Sequence, residues 1–281
     1  MRFWKYHGCG NDFVVVDGVR EKLEVDTEWS AKVCDRHFGI GADGVLYVLP
    51  GREGTDIEMV VVNSDGSIAE MCGNGIRCVS KFARDNGLVK GDEFLVMTGR
   101  GVLKAVTIPG EDGKVARVRI DMGAPILDGR TVPVDHDGRF INEPFEAEGY
   151  SFRANAVSMG NPHFITFDDL GDEAVDRLGP VLEKHPFFPR KTNVEFARVK
   201  DGKIYIRVYE RGAAWTLACG TGACATTTAA ALNGMVPFGE PVDVHLPGGW
   251  LKITVDKELK FVLMEGPAEL VYCGDVPYDK H

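Results

Sequence analysis

Several classes of protein are excluded by what this chain lacks. No apolar run in its 281 residues approaches the length of a membrane span, so no membrane association is expected. Basic residues are in the minority: 32 Lys and Arg stand against 42 Asp and Glu, a formal charge of −10. Nucleic acid is therefore not an expected partner, because phosphate recognition needs basic surface. The opening Met1-Arg2-Phe3-Trp4-Lys5-Tyr6-His7 lacks the apolar stretch and cleavage site of an export signal, which gives a cytoplasmic expectation. None of the seven cysteines, at 9, 34, 72, 78, 219, 224 and 273, forms a Cys-x-x-Cys pair. Zinc-ribbon and thioredoxin-like chemistry thus lack their usual spacing, and no metal site is expected. The odd count also argues against a disulfide framework. A composition of 44% hydrophobic and 26% charged residues is that of a globular chain, with length enough for two domains.

One phrase occurs twice. Cys72-Gly73-Asn74-Gly75 returns 147 positions later as Cys219-Gly220-Thr221-Gly222. Asn86-Gly87 and Asn233-Gly234 each lie 14 positions after their cysteine, and Gly is favoured just past a helix end. Two helices of similar length are predicted, each with a cysteine at its head. In the first, Ile76, Val79, Phe82 and Ala83 recur at helical spacing. The second runs through Cys224-Ala225-Thr226-Thr227-Thr228-Ala229-Ala230-Ala231 without a charged face, as a helix buried on all sides does. Upstream, Gly10 to Asp17 resembles Gly160 to Asp168 at an offset of 150. The strand-like Ile57 to Val62, leading into Asn63-Ser64-Asp65-Gly66, likewise matches Ile204 to Tyr209, leading into Glu210-Arg211-Gly212, at about the same offset. A shared order of signals points to internal duplication.

Between these anchors the pattern is mostly strand, as in Val102 to Val106, Val115 to Ile120 and Leu251 to Val255, with turns at Gly110 to Gly113 and Asp201-Gly202. Outer helices are predicted over 27–36 and 173–183. The fold expectation is α+β: two pseudo-symmetric domains, each a mixed or antiparallel sheet wrapped around a central α-helix, with the active site in the cleft between them. The expected domains are 1–121 plus 267–281 and 122–266, with crossings at Gly123-Ala124-Pro125 and Gly266-Pro267.

A helix N-terminus presents unpaired N–H groups and positive dipole charge, and neighbouring glycines let an anion come close. Gly73-Asn74 and Gly220-Thr221 are therefore candidate carboxylate cradles, and Cys72 and Cys219 are candidate thiolates. Two thiols on opposite faces of one carbon could remove a proton and return another, as a cofactor-free racemase or epimerase does. A single thiolate and a single thiol would share the charge, and their roles exchange when the reaction reverses. Competing readings are buried packing cysteines, a regulatory disulfide between Cys72 and Cys219, and a thiol-based redox or metal-binding protein.

With these residues in place, the chain resembles the diaminopimelate epimerases over nearly its whole length. The resemblance rests on Gly8-Cys9-Gly10-Asn11-Asp12-Phe13, Asn63-Ser64-Asp65-Gly66, Met71-Cys72-Gly73-Asn74-Gly75-Ile76-Arg77-Cys78, Gly160-Asn161-Pro162-His163, Thr192-Asn193-Val194, Glu210-Arg211-Gly212 and Ala218-Cys219-Gly220-Thr221-Gly222. It implies conversion of LL-2,6-diaminopimelate to the meso form, without pyridoxal phosphate, metal or other cofactor, in lysine and peptidoglycan-precursor synthesis. It implies Cys72 and Cys219 as the catalytic pair, with His163 and Glu210 assisting. It further implies Asn11, Asn63, Asn161, Asn193, Glu210 and Arg211 as substrate contacts, with Gly73, Asn74, Gly220 and Thr221 receiving the reacting carboxylate. Arg211 suits a distal carboxylate through its forked donors. Some members carry a substrate-binding Gln where this chain has Gly44; that contact is lost here or supplied by backbone or water. Tyr272 matches an aromatic position tied to dimer contact in some members, here followed by Cys273, and a homodimer is among the expectations. Proline-racemase-like chains typically place His where Asn74 stands, and phenazine-type isomerases lack the cysteine pair. Histidine racemases keep both cysteines and differ in the distal contacts.

Overall fold

The structure, a computed structural model, describes residues 1–278. The chain divides into two compact units, Met1–Asp121 with Glu265–His281, and Met122–Met264. In chain order the elements are β1 (Arg2–Gly8), β2 (Asn11–Asp17), α1 (Gly18–Glu21), α2 (Thr27–Cys34), β3 (Gly44–Pro50), β4 (Ile57–Asn63), β5 (Ile68–Ala69), α3 (Gly73–Asp85), β6 (Glu93–Thr98), β7 (Gly101–Pro109) and β8 (Val115–Asp121). There follow β9 (Glu143–Ala147), β10 (Tyr150–Ser158), β11 (Pro162–Thr166), α4 (Asp172–Leu182), β12 (Asn193–Lys200), β13 (Lys203–Glu210), β14 (Ala214–Thr216), α5 (Gly220–Leu232), β15 (Val242–Leu246), β16 (Gly249–Val255), β17 (Val262–Pro267) and β18 (Glu269–Asp275). The fold is α+β, strand-rich with few helices. Among the described residues no helix is long and apolar enough to cross a membrane.

The two units repeat one wiring. In the first, β18, β1 and β2 pair antiparallel in that order, β2 pairs β3 parallel, β3 pairs β4 antiparallel, and β4 pairs β6 parallel. In the second, β9, β10 and β11 pair antiparallel, β11 pairs β12 parallel, β12 pairs β13 antiparallel, and β13 pairs β15 parallel. Parallel neighbours cannot be joined by a tight turn and need a crossover segment. Accordingly α2 and α4 connect the first parallel pair of each unit, and α3 and α5 the second. Register also repeats: Phe13 stands opposite Gly44 as His163 stands opposite Asn193, and Val15 opposite Leu46 as Ile165 opposite Glu195.

Helices α3 and α5 are the central ones. The first packs on β1, β2, β3, β4, β7 and β8, and the second on β10, β11, β12, β13, β15 and β16. Burial on every side explains the composition of α5, where only Gly, Ala, Thr, Cys and a last Leu occur. The hydroxyls of Thr227 and Thr228 donate to the carbonyls of Ala223 and Cys224, both at 2.8 Å, so these polar groups are satisfied within the helix. Both helices stop at an asparagine whose side-chain amide donates back into the last turn, Asn86 to Phe82 O and Asn233 to Ala229 O. The following Gly87 and Gly234 take positive φ, 68° and 71°, which glycine adopts without strain.

One outer helix is shorter than its sequence suggests. The expected span 27–36 ends at Cys34, because Asp35 is extended and its carboxylate accepts from the N–H groups of His37 and Phe38. That local alternative competes with continuing the helix. The other outer helix runs Asp172–Leu182. It covers a core rich in phenylalanine, with Phe140, Phe152, Phe164 and Phe188 buried and Phe145 and Phe187 packed against them. Phe164 and Phe188 meet edge to face at 4.9 Å between centroids. Phe164 is fully buried and contacts Phe140, Phe145, Phe152 and Phe188. Phe164→Ala should therefore cost about 3–5 kcal/mol in urea unfolding; a loss below about 1 kcal/mol would mean the site collapses freely around the gap.

Candidate active site

Each central helix begins at a cysteine that serves as its N-cap. Cys72 and Cys219 are extended residues whose sulfurs accept from the third helical N–H, Gly75 at 3.4 Å and Gly222 at 3.3 Å. Oxygen side chains normally fill this position. Sulfur there sits at the positive end of the dipole, where a thiolate is favoured. Gly73 and Asn74, and likewise Gly220 and Thr221, supply the first two N–H groups of each helix.

At the first mouth, Asn11 Oδ1 accepts from Asn74 Nδ2 at 3.2 Å and from Cys72 Sγ at 3.6 Å. Asn11 Nδ2 donates to Asp43 at 2.7 Å, which fixes which end of the amide faces the thiol. Behind it, Arg36 bridges Asp12 and Asp43 at 2.8 Å to each, and the Lys5 ammonium reaches both Asp12, at 2.5 Å, and Gly41 O. Arg77, fully buried one turn into α3, donates to Gly73 O and Asn74 Oδ1, both at 2.9 Å, and to Pro267 O at 3.1 Å. It thereby ties the helix head together. Asn63, at the end of β4, donates to Ser67 Oγ at 3.0 Å and stands opposite Gly44. A Cβ at Gly44 would lie 2.7 Å from Val62 O, so a side chain at this position requires the backbone to move.

The second mouth has a different polar lining. Thr221 Oγ1 lies 3.5 Å from Cys219 Sγ and accepts from Asn161 Nδ2 at 3.3 Å. Asn161 Oδ1 in turn contacts His163 Nε2 at 3.1 Å, and His163 Nδ1 meets Glu195 Oε1 at 2.6 Å. Glu210 accepts from the Thr216 hydroxyl at 2.6 Å. Asn193 is buried between two backbone partners, donating to Pro162 O and accepting from Arg211 N, each at 2.9 Å. The Arg211 guanidinium is on the exposed side and donates to Arg190 O at 3.3 Å.

Burial, followed by the charges of Glu210 and Glu195, pushes the Cys219 thiol well above its ordinary range, opposed by the Thr221 hydroxyl and the Gly222 N–H. Burial likewise raises Glu210 and Glu195. Cys78 and Cys9 are also raised by burial, Cys78 to about 12, as befits packing residues.

Residues 3–127 and 155–271 match the profile of the family named diaminopimelate epimerase. A relative of that name from Pelotomaculum thermopropionicum is 47% identical, with 99% of each chain covered. The diaminopimelate epimerases of Leptospira biflexa and Methanococcus maripaludis are 46% and 44% identical, covering 98% of this chain and 99% of theirs. The chain belongs to the diaminopimelate epimerase family. This family membership makes it an isomerase. Solved structures similar in fold include a probable proline racemase from Agrobacterium radiobacter with bound carbonate (TM-score 0.72, 18% identity, 99% of this chain and 93% of that one) and a phenazine biosynthesis protein of the PhzF family from Bacillus anthracis (TM-score 0.71, 16% identity, 99% of each).

Within this epimerase chain most of the residues singled out from sequence fall into two sets, while Asn63 bonds to Ser67 and Glu210 to Thr216. Cys72, Gly73, Asn74 and Asn11 form one hydrogen-bonded set. Cys219, Gly220, Thr221, Asn161 and His163 form another. Asn193 and Arg211 are joined through the Arg211 N–H. Glu195 and Asp43 were not foreseen. The signal for Glu195 was present: it is the one charged residue in the inward-facing run Asn193-Val194-Glu195-Phe196-Ala197, all of it buried. Asp43 gave no such signal, since an acidic residue in a Gly-rich loop is usually solvated.

The acidic cluster behind Asn11 yields a pH test. Burial works against the charge of Asp12, but hydrogen bonds and charge from Arg36 and Lys5 outweigh it and hold the carboxyl at about 2. A depressed carboxyl stabilises the fold above its unfolded value of about 3.9, and that share is lost as pH falls toward 2. Asp12→Asn should therefore flatten the pH dependence of unfolding free energy between about pH 4 and pH 2; an unaltered slope would remove Asp12 from the acid response.

Proposed function

We propose that the protein interconverts LL- and meso-2,6-diaminopimelate by a two-base mechanism in which Cys72 and Cys219 supply one thiolate and one thiol. The observation that carries this reading is full-length membership of the family together with a cysteine N-cap at both central helices. In the reaction, the thiolate takes the α-proton from one face and the thiol delivers a proton to the other. The α-proton of an amino acid is weakly acidic, so the carbanion must be stabilised by fixed donors in a dry site. The N–H groups of Gly73 and Asn74, and of Gly220 and Thr221, are assigned to the reacting carboxylate, whose charge grows as the proton leaves. No pyridoxal or metal takes part in this scheme.

Asn11, Asn63, Asn161 and Asn193 are assigned to the polar groups of the substrate, Glu210 to an ammonium, and Arg211 to the distal carboxylate. His163 and Glu210 assist the thiols. A cytoplasmic location, service to lysine and peptidoglycan-precursor synthesis, and a homodimer belong to the same proposal. The exposed Leu270, Val271 and Tyr272 on β18 are consistent with the dimer.

Cys72→Ala and Cys219→Ala should each lower turnover of LL-diaminopimelate by about 10²-fold or more while the far-ultraviolet spectrum is kept; near-normal turnover by either folded variant would remove that thiol from the mechanism. Arg211→Ala should erode preference for diaminopimelate over lysine, followed as α-proton exchange on each compound; undiminished preference would reassign the distal contact.

A further inference from the structure

The duplicated halves differ beneath their cysteines. At the first mouth, a Cβ on Gly75 would meet Leu46; at the second, a Cβ on Gly222 would meet Glu195 Oε1 at 2.8 Å. The shared register makes Leu46 and Phe13 the counterparts of Glu195 and His163. An apolar pair in one half is therefore an acid and an imidazole in the other, both fully buried. Burying such a pair is costly unless its hydrogen bonds do something specific.

The contacts run in one line. Glu195 Oε1 meets His163 Nδ1 at 2.6 Å, His163 Nε2 meets Asn161 Oδ1 at 3.1 Å, Asn161 Nδ2 donates to Thr221 Oγ1 at 3.3 Å, and Thr221 Oγ1 lies 3.5 Å from Cys219 Sγ. An amide oxygen only accepts, so His163 Nε2 must carry a proton. That holds whether the proton shared at Nδ1 rests on the imidazole or on Glu195, and in both arrangements the pair is neutral. With Oδ1 occupied, Asn161 can only donate to Thr221. The Thr221 oxygen then accepts from Asn161, and its hydrogen is left to point at the sulfur. At the first mouth the amide is turned the other way: Asn11 offers its oxygen to Cys72 and its nitrogen to Asp43.

We propose that Glu195 is a positioning residue for Cys219, anchoring the His163 ring at Nδ1 so that its Nε2 proton stays on Asn161, and thereby aiming the Thr221 hydroxyl at the sulfur to support its thiolate. The proposal rests on the reading of Cys219 as a proton-transfer group, and it deepens that reading by making the two mouths chemically unequal. Other charged groups facing Cys219 are Glu210 on β13 and Glu195 itself, whose bare charge would act in the opposite sense and oppose thiolate formation. The sign of the effect therefore separates the relay from simple charge.

The test uses the full chain without substrate, so it stands apart from any failure of the epimerase assay. Nitrogen-15 histidine spectra report the His163 tautomer, and carbon-13 Cβ shifts report each thiol, assigned with Cys219→Ser. Glu195→Leu, which installs the residue of the first half, should release His163 Nδ1, let the ring turn away from Asn161 with a change in its nitrogen-15 signals, and raise the Cys219 titration by about one pH unit, leaving Cys72 in place. Turnover should fall about tenfold or more with KM within about threefold. Thr221→Val should raise Cys219 equally without altering the His163 tautomer, and the double variant should go no further than either single one. Glu195→Gln, which can still donate to Nδ1, should leave Cys219 where it is. A Cys219 titration that stays put in folded Glu195→Leu, or drops in it or in Glu195→Gln, would overturn the proposal. Should Glu195→Leu not fold, an unshifted Cys219 in Thr221→Val overturns it alone.

Discussion

A cysteine sulfur at the head of a fully buried helix is held by few choices. Its backbone must be extended to start the helix, its side chain must face the third N–H, and nothing with a Cβ can stand where that N–H is presented. Gly75 and Gly222 meet the last requirement: a Cβ on either would crowd the cysteine's own side chain as well as the strand residue beneath it. The rest of each unit follows from seating that helix. Parallel neighbours on either side of the crossover enclose it, and in α5 the composition is restricted to what fits when no face is wet. The same arrangement brings two backbone donors beside the sulfur, so that one local structure holds both the proposed base and the proposed anion cradle.

Duplication supplies a second copy of this head but leaves the surroundings free to diverge. Around Cys72 the polar support comes from outside the helix mouth, through Asp43 and Arg36, and from within α3 through Arg77. Around Cys219 it comes from beneath, through His163 and Glu195. A two-base exchange, as proposed, asks for like backbone frames at both cysteines, and it asks that one carry a proton while the other does not. Matching register with divergent side chains meets both needs.

Much of this was legible in the letters. The repeated Cys-Gly-x-Gly fixed the two helix starts, and the Asn-Gly pairs fixed their ends, because each is a local signal with a local cause. Family resemblance supplied the roles proposed for the asparagines, which as isolated residues read as turn formers. The early end of α2 was hidden, since the Asp35 side chain competes with a helix pattern that continues past it. Glu195 stood out as the one charge in the first five residues of its strand, but its role did not. Its meaning depends on a partner 32 positions away and on a parallel strand pairing that periodicity does not reveal. Gly44 was visible as a departure, but the carbonyl of the neighbouring strand where a side chain would begin was not.

The central claim is that two separate thiols act on one stereocentre. It is tested most directly by following label in heavy water at early times, before the reaction reverses. Two bases predict that each newly formed meso molecule carries deuterium at the inverted carbon while the remaining LL pool stays unlabelled. Deuterium appearing equally in both pools, or meso product retaining the original hydrogen, would point to a single base and contradict the account.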